Sequence, residues 1–262
     1  MIRVFRMLGA SVGFAALLMA CALAGPTPAA AQTLRIGTEG AYPPFEFRDS
    51  SGALKGMDVE IGNALCARMK VTCQFMPQDF DGLIPAIKAG KIDLIISSLS
   101  MTPDRAKVID FTKPYYLSPS QFVALTSSGI TDDPATLKGK TIAVQSGTNH
   151  QAYMEQRLPD IAVKAYNTVQ EAELDLEAGR VDAMLADKLL MYDWVTKVGV
   201  PKGFDYVGKP LVDPLVTGQI GIGVKKGNTA LAGSLDTAID QLLADPQYDT
   251  ITKSYFPFSI RP

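Results

Sequence analysis

Apolar and polar positions along the chain fall into short blocks whose periods alternate. Leu34-Arg35-Ile36-Gly37 alternates as a half-buried strand does, and Val71, Cys73 and Phe75 repeat that pattern further on. Between them Ile61, Leu65 and Met69 recur at helical spacing, which predicts a helix over Asp58 to Met69. Leu83 to Ala89 reads as a shorter helix opened by Asp79-Phe80-Asp81 and stopped by Gly90, and Lys91 to Ile96 as a largely apolar strand. Strand, helix and strand in that order predict parallel pairing through right-handed crossovers, an α/β architecture.

The same phrase returns later. Leu174 to Leu185 repeats the shape of Pro85 to Ile96: a helix, Ala-Gly, a basic residue, a β-branched residue, Asp and an apolar strand. A strand, Thr141 to Val144, precedes this second copy as strands precede the first. Pro201 to Pro214 is rich in Gly and Pro. Beyond it come a strand, Gln219 to Val224, and a helix with Leu231, Leu235, Ile239 and Leu242 on one face, broken by Pro246. The pattern predicts two α/β lobes, with crossings near Tyr115–Pro119 and Leu211–Thr217 and a last helix that returns to the first lobe.

The amino terminus has a different character. Arg3 and Arg6 precede an apolar run from Leu8 to Gly25, then Pro26, Pro28 and Ala29-Ala30-Ala31. This is the pattern of a secretory signal peptide cleaved after Ala31. A membrane anchor is the alternative for the run, and Leu18-Met19-Ala20-Cys21 loosely fits lipoprotein processing at Cys21. With Cys21 removed, Cys66 and Cys73 are an even pair in an oxidising compartment, either disulfide-bonded or two buried thiols; the export signal favours the bond.

Composition narrows the function. The 262 residues are 47% hydrophobic and 20% charged, with 25 Lys+Arg against 27 Asp+Glu. That balance lacks the basic excess of a nucleic-acid binder. His150 is the only histidine, so no metal site and no cofactor are expected.

Ligands in open α/β sheets bind beyond the carboxyl ends of the strands, so the residues that follow each predicted strand should line one cleft. They are Glu39 and Tyr42; Ser97, Ser98 and Ser100, with Arg105 behind; Gln145, Thr148, Asn149 and His150; and Asp187. Phe80 adds an aromatic face. Arg105 can clamp a carboxylate through two parallel hydrogen bonds, and Asp187 can hold an ammonium group. Donors and an acceptor placed together suit the head group of a free α-amino acid. Each residue also has a plainer reading: Arg105 paired with Asp104 or Asp110, the serines as turn formers, Tyr42 and Phe80 as core, and Asp187 as a helix cap.

Several phrases resemble the periplasmic polar-amino-acid-binding proteins of ABC importers, family 3 solute-binding proteins. They are Gly37-Thr38-Glu39-Gly40-Ala41-Tyr42-Pro43-Pro44-Phe45, Gly56-Met57-Asp58-Val59-Glu60-Ile61, Asp81-Gly82-Leu83-Ile84-Pro85, Ser97 through Arg105, Phe111-Thr112-Lys113-Pro114-Tyr115-Tyr116, Leu137-Lys138-Gly139-Lys140, and Tyr248-Asp249 with Lys253-Ser254-Tyr255-Phe256. The resemblance implies a type II periplasmic-binding-protein fold: two lobes, each a mostly parallel sheet flanked by helices, a two-strand hinge and a cleft between. The segments expected are 1–31 as signal peptide, 32–117 and 217–262 as the first lobe, and 118–216 as the second.

The resemblance also implies residue roles. Arg105, the Ser100 N–H and Thr148 hold the ligand carboxylate; Asp187, the Ser98 carbonyl and the Ser100 hydroxyl hold its ammonium. Tyr42 and Phe80 sandwich its side chain, Ser97 and Glu39 meet the polar end, and Gln145, Asn149 and His150 complete the wall. Cys66 and Cys73 sit where basic-amino-acid binders carry a disulfide. The implied product is a monomeric periplasmic protein that binds a basic amino acid, arginine foremost, and serves an inner-membrane permease. Opine binders share parts of these phrases, and exported cyclohexadienyl dehydratases resemble the family in fold. Lys188, beside Asp187, is expected to point away from the cleft.

Overall fold

The computed structural model describes residues 1–2 and 32–262, so the expected signal peptide and Cys21 lie outside the described residues. From Gln32 the chain runs β1 (Thr33–Thr38), a small antiparallel finger of β2 (Ala41–Tyr42), β3 (Glu46–Arg48) and β4 (Leu54–Lys55), then α1 (Met57–Met69), β5 (Thr72–Pro77), α2 (Leu83–Lys88), β6 (Leu94–Ile95), α3 (Pro103–Val108) and β7 (Ile109–Leu117). It continues through β8 (Ser120–Leu125), α4 (Pro134–Leu137), β9 (Thr141–Gln145), α5 (Asn149–Arg157), β10 (Ala162–Tyr166), α6 (Val169–Glu177), β11 (Ala183–Asp187), α7 (Lys188–Trp194) and β12 (Phe204–Val207). Strand β13 (Gln219–Lys225) and helices α8 (Thr229–Ala244) and α9 (Pro246–Lys253) end it.

Two five-stranded sheets result, ordered β5-β1-β6-β13-β7 and β10-β9-β11-β8-β12. In each, one strand opposes the rest: β13 pairs antiparallel with both β6 and β7, and β8 with both β11 and β12. These are the strands by which the chain enters each sheet after crossing from the other. The crossings lie side by side, the Ser118 N–H donating to the Gly218 carbonyl at 2.7 Å.

The repeated phrase of the sequence makes the same bonds in both sheets. Gly90 and Gly179 stop α2 and α6 with φ of +71° and +66°, a left-handed turn that glycine adopts without steric cost. Asp93 and Asp182 then reach back to β1 and to the start of β9, respectively. The Arg35 N–H donates to the Asp93 carboxylate at 2.8 Å, and the Thr141 N–H to Asp182 at 2.9 Å.

Helices α1 and α8 cover one face of the first sheet, burying Ile61, Leu65, Leu235, Ile239 and Leu242 against Ile36, Leu94 and Val224. Leu83, Ile87, Ile92 and Ile109 fill its other face. Phe122, Ile142, Val144, Met154 and Leu185 form a core on the second sheet. Cys66 near the end of α1 is disulfide-bonded to Cys73 on β5, with Cα atoms 6.0 Å apart.

Two expectations change in detail. The strand foreseen over Lys91–Ile96 is only Leu94–Ile95, because Lys91 closes the α2 stop by donating to the Ala86 carbonyl and Asp93 caps β1. Asp79-Phe80-Asp81 does not open α2; Phe80–Gly82 is a separate 3-10 turn closed by the Gly82 N–H on the Asp79 carbonyl.

Candidate functional site

The carboxyl ends of β1, β6, β9 and β11 deliver their following residues to one region between the sheets. Glu39 follows β1. Its N–H donates to the Ser97 hydroxyl at 3.0 Å, and its carboxylate accepts from the Gln145 amide at 2.7 Å. Tyr42, on the finger, donates its hydroxyl to Asp187 at 2.9 Å. Both latter bonds span the two sheets. Gly147 presses against Asp81 from the opposite side at φ +73°; a β-carbon there would lie 2.7 Å from the Asp81 Cβ.

Arg105 is placed by helix geometry. Thr102 caps α3, its hydroxyl accepting the Arg105 N–H, and Pro103 occupies the first turn. The guanidinium is turned inward, donating to the Ser100 carbonyl at 2.9 Å and across the cleft to the Gly147 carbonyl at 3.2 Å, with its carbon 5.4 Å from the Phe80 ring centre. Neither neighbouring acid engages it: Asp104 pairs with Lys107 and Asp110 with Lys226. Burial lowers the Arg105 pKa to about 10, against the opposing pull of Asp187 and Tyr42.

On the facing side Thr148 caps α5, accepting from the Gln151 N–H and donating to the Gln145 carbonyl at 2.7 Å, so its hydroxyl is already engaged. Asp187 precedes α7 but makes no side-chain cap bond; its carboxylate goes to Tyr42 instead. His150 Nε2 lies 2.9 Å from the Ser120 hydroxyl and 3.6 Å from Asp187.

The acids of the site are buried. Burial, more than any neighbour, raises the Glu39 pKa to about 7, with the Gln145 hydrogen bond pulling it down and Asp79 pushing it up. One carboxylate oxygen each of Glu39 and Asp187, the Gln145 carbonyl oxygen and the Asn149 amide nitrogen are buried without a hydrogen-bond partner. Such groups are costly unless something else satisfies them. The arrangement offers one buried guanidinium, carboxylates on both walls and a ring beside the guanidinium.

Ser97, Ser98 and Ser100 are buried here too. Lys188 turns away, its ammonium 5.0 Å over the Tyr206 ring. Sequence reading missed Glu46 and Asp58, which lie wholly buried beneath the serines, and Ser120, which holds His150. Glu46 had one visible signal, an acid following Pro43-Pro44-Phe45 in an otherwise apolar stretch.

A pair of like-ordered α/β sheets with this polar cleft between them defines a solute-binding protein of the type II periplasmic class. The chain belongs to the bacterial extracellular solute-binding proteins, family 3, which it matches over residues 34–258. It is 44% identical over 238 residues to the L-arginine-binding protein of Pseudomonas aeruginosa, covering 90% of this chain and 92% of that one. It is 37% identical over 232 residues to the lysine/arginine/ornithine-binding periplasmic protein of Escherichia coli, covering 87% and 89%. A periplasmic binding protein of Salmonella typhimurium, described for its high arginine specificity, superposes with TM-score 0.78 at 32% identity, covering 86% of this chain and all of that one.

Proposed function

We propose that this protein is the substrate-binding component of an ABC importer, that it closes on a free basic L-amino acid, arginine foremost, between lobes 32–117 with 217–262 and 118–216, and that it hands this ligand to a membrane permease as a monomer. The observation that carries the reading is the placement of opposite buried charges on facing walls, Arg105 and Asp187, with a further carboxylate, Glu39, beside them. An α-carboxylate matches Arg105, with the Ser100 N–H and Thr148 beside it. An α-ammonium matches Asp187, with the Ser98 carbonyl and Ser100 hydroxyl. Glu39 and Ser97 meet the side-chain cation between Tyr42 and Phe80, where ion pairing and cation–π stacking act together. Gln145, Asn149 and His150 close the wall. Relatives that bind arginine, lysine and ornithine support the choice of ligand.

The reading makes the protein a binder without turnover, so incubation with prephenate or arogenate yields no aromatic product. Its test is a thermal-shift panel on residues 32–262 after unfolding and refolding to strip co-purified ligand. L-Arginine at about a thousandfold its Kd adds about 4 kcal/mol, a rise of roughly 8–16 °C for a chain of this size. A rise with glutamate or neutral amino acids but not with arginine overturns the side-chain assignment.

A further inference from the structure

Beneath the site two carboxyl groups, Glu46 on β3 and Asp58 in the first turn of α1, are wholly buried, each 0% exposed. Between them they hold the turn that carries the serines. The Ser97 hydroxyl donates to Glu46 Oε1 at 2.6 Å while accepting the Glu39 N–H. The Ser98 N–H donates to Asp58 Oδ2 at 2.7 Å, and the Tyr115 hydroxyl to Asp58 Oδ1 at 2.9 Å. Ser98 needs that hold, for its φ of +45° lies in the left-handed region that a serine rarely adopts. Tyr116 completes the support by donating to the Ser98 hydroxyl at 2.8 Å.

The groups facing this pair carry no positive charge. They are Glu39 after β1, Tyr42 on the finger, Tyr115 and Tyr116 on β7, Asp187 on β11 and Tyr248 on α9. Glu46 Oε2 is buried without a hydrogen-bond partner, and Asp58 is the charged group that bears on Glu46 most strongly. Asp58 already receives donors on both oxygens, whereas Glu46 receives one, so a proton held by the two acids belongs on Glu46. Burial first, and each acid's proximity to the other, favour the same arrangement.

We propose that Glu46 and Asp58 are a positioning pair that shares one proton at neutral pH, Glu46–O–H donating to the Asp58 carboxylate, and that this neutral donor locks the Ser97–Ser98 turn from which Glu39 and the head-group serines are presented. The pair touches no ligand and acts through the turn.

The test compares parent, E46Q and E46A on residues 32–262. Glutamine keeps a neutral donor and holds no proton. A protonated carboxyl costs the folded state stability as pH rises above the ordinary glutamate value, so the melting temperature of E46Q minus that of the parent grows by roughly 3–5 °C per pH unit between pH 5 and 7. A difference that stays flat with pH overturns the proposal. L-Arginine affinity stays within about threefold of the parent in E46Q and falls more than about tenfold in E46A, on the scale of a hydrogen bond to a charged group; equal loss in both contradicts the positioning role. Should E46Q not fold, the infrared band of a protonated carboxylic acid, read as the difference between ligand-free parent and E46A at pH 7 so that the contribution of Glu39 cancels, decides the matter: a band lost in E46A supports the pair and an unchanged band refutes it. The thermal and infrared readings use no ligand, so they stand or fall apart from the proposed arginine specificity.

Discussion

The first and second sheets share strand order, the placement of their single opposing strand, and even the bonds of the Ala-Gly turn, yet their walls of the cleft are unlike. The first wall is elaborated: the β2–β4 finger supplies Tyr42, α3 supplies Arg105, and the buried acids Glu46 and Asp58 brace the serine turn from beneath. The second wall has no such insert between β9 and α5, which follows after a short turn, and its polar groups are Gln145, His150 and Asp187. A duplicated frame thus carries two unlike walls, one built out by an inserted finger and a braced serine turn, the other formed by residues that follow its strands directly.

Breaking this division should give graded effects. Arg105→Ala or Asp187→Ala removes one of the two opposed charges, and arginine binding measured by calorimetry should weaken roughly a hundredfold or more with the fold intact. Glu39→Gln should cost roughly thirtyfold at pH 7.5, the scale of a lost desolvated ion pair. The parent should also bind arginine progressively more weakly from pH 7.5 to 5.5, because Glu39, with a pKa near 7, must give up a proton to meet a cation. E39Q should lose that component of the pH dependence.

Gln145→Ala should cost less, about three- to tenfold, since what is lost is the bridge from the second wall to Glu39 and a bond to the Asn167 carbonyl, not a charge. Cys66→Ser with Cys73→Ser removes about 2–3 kcal/mol of stability by the chain-entropy account and leaves arginine affinity unchanged, because the bridge ties α1 to β5 away from the cleft.

These predictions use residues that differ in how far the sequence announced them. Arg105 and Asp187 could be found because they follow strands, and the strand ends of an open α/β sheet converge. The repeated Ala-Gly phrase exposed the duplicated frame because its helix stop and Asp cap need the same residues twice. Strands β8 and β12 escaped notice, since Ser120–Leu125 has no alternation to read when it is buried along almost its whole length, and Phe204–Val207 sits in a Gly- and Pro-rich stretch. Asp58 was hidden for another reason: an acid in the first turn of a helix ordinarily faces water and offsets the helix dipole, and only tertiary packing makes it a buried acceptor. Thr148 was visible, but its hydroxyl proves committed to capping α5, so any contribution to a ligand must come with that bond in place.

The most direct measurement is a crystal structure of residues 32–262 grown with L-arginine. The account predicts the ligand carboxylate on Arg105, its ammonium on Asp187 and its guanidinium against Glu39 between Tyr42 and Phe80. A ligand bound outside this cleft, or lying in it with the guanidinium directed away from Glu39, would contradict the account.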